Sequence, residues 1–318
     1  MLRIAVLDDY QQVAAGLADW ASVGAADFFH APIPAAELAA TLRPYDVACL
    51  MRERTPFPAA LIDALPNLKL IVTTGGRNAS IDVAAAAARG VPVCGTASRA
   101  PATAQAAMTL ILAASRNLAP EAMSMRDGGW QVGLGRDLHG LTLGLIGLGR
   151  LGAAVADLAR PFGVKLIAWS ANLTDDRCAE VGVERAATLR ALLTTADVAS
   201  IHMVLSDRTR GLIGPEQLSW MKPDALLVNT SRGPIVDSAA LIEALRRGRP
   251  GAAALDVYDH EPLPADHFLR DRALIDAGRL LLTPHIGYVA RQTYEVFYRE
   301  TVECIAAWAA GAPVRRIA

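Results

Sequence analysis

An apolar strand that runs straight into a glycine-rich turn, followed by an alanine-rich helical run, leaves this chain few folds to choose from. Residues 142–146 (Thr-Leu-Gly-Leu-Ile) lead into Gly147-Leu148-Gly149-Arg150-Leu151-Gly152, a Gly-x-Gly-x-x-Gly pattern. Strand before and helix after are the layout of the first βα turn of a dinucleotide-binding fold. The first glycine there allows a tight turn, the second lets backbone approach a pyrophosphate, and the third lets the helix pack closely on its strand. Gly147, Gly149 and Gly152 take those places, with Arg150 and Leu151 at the helix start. The helix N-terminus adds unpaired N–H groups and a partial positive charge that suit phosphate. Six residues of this pattern alone are weak; the flanking strand and helix make them specific.

Around this turn, strand-like and helix-like runs alternate. Residues 2–7, 25–29, 47–51, 68–73 and 91–94 read as strands, with helical runs to about Trp20, at 34–41 and at 80–88. Such alternation predicts a parallel sheet covered on both faces. A long helical stretch over 102–126 follows and is broken by Gly128-Gly129, which suits a rigid link into a second domain. Six further strands are expected at 141–146, 165–169, 198–202, 225–229, 252–257 and 280–283. The last helical run, 291–310, finds that sheet complete and is expected to return to the first. The predicted fold is therefore α/β: two Rossmann-like, doubly wound parallel-sheet domains with a cleft between them. The first is discontinuous (1–98 completed by 287–318), and the dinucleotide-binding domain covers 99–286.

Composition narrows the class. The 318 residues are 53% hydrophobic and 20% charged, with a formal net charge of -1. That balance offers no electrostatic reason to seek nucleic acid or anionic membrane. No run is apolar for long enough to span a bilayer, and the N-terminus enters a strand at once, without a secretory h-region. Cys49, Cys94, Cys178 and Cys304 are scattered without metal-ligand spacing, so reduced, buried thiols in a cytoplasmic protein and no metal site are expected.

The ribose-reading position departs from the commonest pattern. An acidic residue normally ends the second strand of such a unit and binds the ribose 2′-hydroxyl. Here that strand ends Ala168-Trp169-Ser170-Ala171-Asn172, with no acid. Nothing at Ser170 repels a 2′-phosphate. No arginine follows directly to attract one, Arg177 being the nearest recruit, so NAD or NADP is permitted. Ser170 also suits a turn cap that touches no cofactor.

Three later segments put a titratable residue just past a parallel strand, where open α/β sheets carry their ligands. They are Asn229-Thr230-Ser231-Arg232-Gly233, Asp256-Val257-Tyr258-Asp259-His260-Glu261-Pro262, and Thr283-Pro284-His285-Ile286-Gly287. Singly, each reads as an ordinary surface arginine, solvated glutamate or loop histidine. With the fingerprint, the ordered set closely resembles the D-isomer-specific 2-hydroxyacid dehydrogenase family, over nearly the whole chain. The resemblance implies a nicotinamide-dependent enzyme interconverting small 2-keto acids and D-2-hydroxy acids, commonly as a homodimer. It implies that Arg232 binds the substrate carboxylate through two parallel donors. His285 is then the general acid/base, and Glu261 fixes its tautomer and favours the protonated imidazole. By the same match Asp256 contacts the nicotinamide carboxamide, Thr230 and Gly287 line the cofactor channel, and Gly75, Gly76 and Arg77 bind the substrate carboxylate. His202 is expected near the adenine side, and His30, His139, His260 and His267 carry no role.

The chain also departs from the family pattern. Residues 97–101 lack the small glycine turn common at the interdomain hinge, Gln105 replaces a frequent glutamate, and Ala290 stands where a threonine often caps the final helix. Arg77, Arg52 and Arg54 could attract an extra anionic group or simply be solvated. Among alternatives, a dinucleotide-sensing scaffold without turnover is disfavoured by the joint presence of Arg232, Glu261 and His285. A formate dehydrogenase is disfavoured by Glu261. A phosphoglycerate dehydrogenase-like activity is disfavoured, though kept open, because the length leaves no room for a regulatory C-terminal domain.

Overall fold

The computed structural model describes residues 1–98 and 100–317. Its backbone divides into two compact units, Met1–Arg99 with Ala290–Ala318, and Ala100–Val289. The boundary expected at residue 99 falls on Arg99, which lies outside the described residues, as does Ala318.

The first unit is built on five parallel strands: β1 (Arg3–Val6), β2 (Ala25–Phe28), β3 (Val47–Leu50), β4 (Leu70–Thr73) and β5 (Val93–Gly95). They lie in the order β2-β1-β3-β4-β5. β3 and β4 are buried at every position, as a sheet covered on both faces requires. The helical run expected up to Trp20 is only a single turn, Ala14–Leu17, and a 3-10 turn, Trp20–Ser22. The final helix, Arg291–Ala309, belongs to this unit: Tyr294, Phe297, Tyr298, Cys304 and Ile305 are buried on one face. Trp20 meets the Tyr298 ring edge-on at 6.0 Å. After the helix, Ile317 N–H donates to the Val93 carbonyl at 2.7 Å, so the C-terminal segment pairs with β5. The chain therefore returns to the first sheet. Ala290 caps the helix in an extended conformation with no side-chain bond, as expected of a residue without a hydroxyl.

The second unit holds seven parallel strands where six are expected. They are β6 (Thr142–Ile146), β7 (Lys165–Trp169), β8 (Glu184–Arg185), β9 (Val198–Ile201), β10 (Leu226–Asn229), β11 (Ala252–Leu255) and β12 (Leu280–Leu282). Their order is β12-β11-β10-β9-β6-β7-β8. The extra strand, β8, is two exposed charged residues at the sheet edge, too short and too polar to show alternation. The helix after the fingerprint, Arg150–Ala159, buries Gly152, Val155, Ala156 and Ala159, one face at helical spacing. Val155, Ala156 and Ala159 join Ala104, Ala107, Met108 and Ile111 in one apolar cluster.

The long link is not one helix. Ala100–Ser115 and Leu118–Arg126 are separated at Asn117, whose φ of 53° lies in the left-handed region. Asparagine tolerates that conformation better than most residues and so ends the first helix without glycine or proline.

Candidate active site

The fingerprint loop has the stereochemistry its glycines imply. Gly147 has φ +102°, and a Cβ there would lie 2.6 Å from the His202 carbonyl oxygen. A Cβ on Gly152 would lie 2.1 Å from the Gly147 carbonyl oxygen, so helix and loop touch through bare backbone. At Gly149, the first residue before the helix, a Cβ would meet nothing within 4 Å. Its backbone faces open space, the cradle that a pyrophosphate needs. Arg150 is exposed and Leu151 half-buried at the helix start. The residues present therefore fit a dinucleotide.

The end of β7 carries no carboxylate. Trp169 and Ser170 are half-buried, and Ala171 and Asn172 are exposed. The Trp169 carbonyl accepts from Gly147 N–H at 2.8 Å, which sets the end of β7 against the fingerprint. Asp175 and Asp176 lie in the first turn of the helix Asp175–Val181. Arg177, from that same helix, donates from Nε to the Leu148 carbonyl at 3.1 Å.

The three titratable residues stand at the carboxyl ends of β10, β11 and β12, three successive neighbours in the sheet. Past β10, the Asn229 side chain clasps the turn. It accepts from Ser231 N–H and donates to the Arg232 carbonyl, both at 3.0 Å, while Ser231 Oγ donates to the Ile201 carbonyl at 2.7 Å. Thr230 is buried beside them. Arg232 is half-buried and donates from Nη1 to the Ser231 carbonyl at 2.8 Å. Gly233 is where this turn meets the one past β11: a Cβ would come within 2.1 Å of the Tyr258 carbonyl carbon.

Past β11, Glu261 folds back on its own loop. Oε1 accepts from Tyr258 N–H at 2.9 Å, and Oε2 meets His285 Nδ1 at 2.5 Å. Both side chains are about one-fifth exposed. A carboxylate facing Nδ1 is satisfied by a proton on that nitrogen, which selects one tautomer of the ring. The Tyr258 hydroxyl bridges the two loops by donating to the Leu255 and Thr283 carbonyls, and burial pushes its pKa up.

His285 itself sits at φ +54°, a conformation that few non-glycine residues adopt. Asp256, 1% exposed, accounts for how the loop holds it. Its Oδ1 accepts from Thr283 Oγ1 at 2.6 Å and Ile286 N–H at 2.8 Å, and its Oδ2 from Gly287 N–H at 2.8 Å. Burial raises the Asp256 pKa, with these donors and the nearby His285 pulling the other way. Asp256 is thus a staple across the histidine loop. Nothing local in the sequence marks that contact or the supporting parts taken by Tyr258 and Thr283; Asn229, a turn-forming residue at a strand end, is the one supporting residue with a readable signal.

In the first unit, the loop past β4 is tightly held. Gly75 has φ +86°, and its missing Cβ is the place Arg52 Nη1 occupies. Gly75 N–H donates to Thr96 Oγ1 at 2.8 Å. In this structure that N–H is engaged within the first unit's own loops. Gly76, Arg77 and Ala79 are the exposed members of the loop. Asn78 is buried and donates to Thr73 Oγ1 at 2.9 Å and to the Arg52 carbonyl at 2.6 Å.

His202 packs its backbone on Gly147 with Nε2 buried and, among the described residues, without a hydrogen-bond partner, and burial pushes its pKa down to about 4. His30 approaches Asp9 at 3.4 Å, and His267 accepts from Leu269 N–H. All four cysteines are free and buried. Among the described residues no group of three His, Cys, Asp or Glu side chains could hold a metal ion, and no helix is long and apolar enough to cross a membrane.

Residues 108–287 match the family model described as D-isomer specific 2-hydroxyacid dehydrogenase, NAD binding domain. The chain belongs to the D-isomer-specific 2-hydroxyacid dehydrogenase family. It is 37% identical over 245 residues to a glyoxylate reductase of Korarchaeum cryptofilum, covering 75% of this chain and 72% of that protein. It is 35% identical to a D-3-phosphoglycerate dehydrogenase of Archaeoglobus fulgidus over 84% of this chain, but spans only half of that protein's length. The crystal structure of a phosphoglycerate oxidoreductase from Vibrio cholerae is similar throughout, with a TM-score of 0.92, 36% identity, and 98% and 100% of the two chains covered. The chain is therefore an NAD(P)-dependent oxidoreductase of the 2-hydroxyacid dehydrogenase class, with a Rossmann dinucleotide-binding domain.

Proposed function

We propose that this enzyme interconverts small 2-keto acids and D-2-hydroxy acids, with His285 as general acid/base and Arg232 as the carboxylate anchor. The observation that carries the reading is the 2.5 Å contact between Glu261 Oε2 and His285 Nδ1, at the sheet edge where the family's ligands are expected. In the reducing direction His285 donates its Nε2 proton to the carbonyl oxygen; in the oxidising direction it takes the hydroxyl proton back. Glu261 keeps the imidazole in one tautomer and offsets its positive charge. Arg232 orients the substrate by pairing its guanidinium with the carboxylate, so that the 2-carbon presents one face. The nicotinamide, when bound, supplies or accepts the hydride. Thr230, Asp256 and Gly287 are proposed to line the nicotinamide end; among the described residues Asp256 Oδ2 has a single donor. The fingerprint residues are proposed to hold the pyrophosphate of NAD or NADP. A spectrophotometric panel of NADH and NADPH against glyoxylate, hydroxypyruvate, pyruvate and bulkier 2-keto acids tests the assignment. Absence of turnover with every 2-keto acid would return the dinucleotide-sensing alternative.

Within this class, a substrate bearing a second anionic group, as in a phosphoglycerate dehydrogenase-like activity, has one observation in its favour. Arg52 lies over Gly75, and Arg77 is exposed in the same loop. Two cationic side chains about one loop suit a phosphate or second carboxylate beyond the substrate carboxylate assigned to the backbone of Gly75, Gly76 and Arg77. The proposed assembly is a homodimer. Trp130, Val132 and Leu134 are 70%, 58% and 100% exposed. Their loop is held in shape by Glu121, which accepts from Val132 and Gly133 N–H. An ordered apolar strip of this kind suits a protein partner. The proposed setting is the cytoplasm, supported by four unpaired buried cysteines.

A further inference from the structure

We infer that Arg177 is a specificity-determining residue that receives the 2′-phosphate of the adenosine ribose, so that this enzyme prefers NADP(H) over NAD(H). The inference rests on the reading that the fingerprint holds a dinucleotide, and it extends that reading to the opposite end of the cofactor from the chemistry.

Three observations converge on this place. First, the end of β7, where a carboxylate normally binds the two ribose hydroxyls and repels a 2′-phosphate, is Ser170-Ala171-Asn172. Second, the arginine that is seven residues further on in sequence comes back to the loop: its Nε–H donates to the carbonyl of Leu148, the residue between the first two fingerprint glycines, at 3.1 Å. The same loop is joined to the end of β7 by the bond from Gly147 N–H to the Trp169 carbonyl. Arg177 therefore lies beside the turn that a ribose must pass. Third, its guanidinium is braced but not used up. Nη1 pairs with Glu180 at 2.7 Å, Nε is committed to Leu148, and among the described residues Nη2 has no hydrogen-bond partner. The side chain is one-third exposed. An arginine held on two sides with one N–H edge open is pre-organised for a phosphate dianion.

The surrounding charges bear on the same point. Of the acids on this helix, Glu180 is paired with Arg177, and Asp175 is paired with Arg185 at 3.1 Å. Asp176 is exposed on the same first turn. Asp175 is thus matched by a cation of its own, while Glu180 engages Arg177 through Nη1 and leaves Nη2 for the phosphate. The arrangement differs from a surface ion pair in that it includes a bond to fingerprint backbone.

The test is direct binding, read by calorimetry or by nicotinamide fluorescence, with NADPH, NADH, 2′,5′-ADP and 5′-AMP as probes on the full chain. The wild type should bind NADPH about 10-fold or more tightly than NADH, and 2′,5′-ADP more tightly than 5′-AMP by a similar factor, the scale of a charge-assisted pair. Arg177→Gln should remove most of that difference by weakening the phosphorylated probes alone. A second variant, Ser170→Asp, leaves Arg177 in place and should reverse the preference by charge repulsion. Equal affinity of the wild type for NADPH and NADH, or a preference that survives Arg177→Gln, overturns this inference and leaves the dinucleotide reading standing. Binding of none of the four probes overturns both.

Discussion

Glu261 and His285 are joined at 2.5 Å through Oε2 and Nδ1, while the other carboxylate oxygen is held by the Tyr258 N–H. The carboxylate is therefore fixed by backbone before it meets the ring, and the ring's orientation follows from the fold of the β11 loop. Glu261→Gln retains the acceptor for Tyr258 but replaces the charge facing Nδ1 by an amide. The expected result is a loss of about 100-fold in kcat, the lower end of what positioned acid–base catalysis contributes. Dinucleotide affinity, measured by fluorescence titration, should stay within about 3-fold, since Glu261 is no part of the fingerprint. Unchanged kcat would remove Glu261 from the account.

Asp256 holds the loop on which His285 adopts its left-handed backbone. Asp256→Asn puts an amide N–H₂ where an oxygen now accepts, so that at least one of the three donors it serves is left facing another donor. Leaving buried donors unpaired costs about 1–3 kcal/mol. Denaturant unfolding should show that loss, and kcat should fall although no proton-transferring group has been touched. A variant as stable and active as wild type would show that the loop needs no staple.

The two fingerprint glycines with the most different surroundings separate folding from cofactor binding. Gly149→Ala adds a methyl into open space and should melt with the wild type while losing cofactor affinity by at least about 10-fold. Gly152→Ala drives a methyl onto the Gly147 carbonyl oxygen, 2.1 Å away, and should lose stability as well. Thermal melts alongside titration of NADH and NADPH check both halves; equal behaviour of the two variants would contradict the stereochemistry.

His202 supplies a pH signature. Burial pushes it down to about 4 from an ordinary value of 6.5, so the folded state takes up its proton later than the unfolded state. Above pH 6.5 both forms are neutral and the residue has no effect. Between pH 6.5 and about 4 the unfolded chain gains a proton that the folded chain refuses, and stability falls by at most about 3 kcal/mol. His202→Leu removes the titration and leaves no new unpaired atom, since among the described residues Nε2 has no partner to lose. Unfolding free energies from pH 7 to pH 4 should decline less steeply in the variant; parallel curves would assign the acid sensitivity elsewhere.

Much of the fold was legible because its signals are local. Apolar runs mark the long strands, and the fingerprint marks the first βα turn of the second sheet by itself. Glu184–Arg185 escaped because two charged edge residues carry no period. The break at Asn117 escaped because it uses a left-handed asparagine in place of glycine or proline. At the site, residue types at strand ends pointed to Arg232, Glu261 and His285, yet the side chains that hold them depend on contacts across the sheet. Asp256 reaches 30 and 31 residues ahead to Ile286 and Gly287, and Thr96 takes the Gly75 N–H from 21 residues away. Such pairings appear only once strands are neighbours, which is why the bond from Gly75 to Thr96 and the clasp made by Asn229 are not legible in the sequence.

The central claim is that His285 moves the proton. Single-turnover reduction of a 2-keto acid by His285→Ala, with cofactor affinity measured on the same preparation, tests it most directly. The account predicts a chemical step slowed by about 10²- to 10⁴-fold with cofactor affinity within about 3-fold of wild type. A chemical step near the wild-type rate would contradict it.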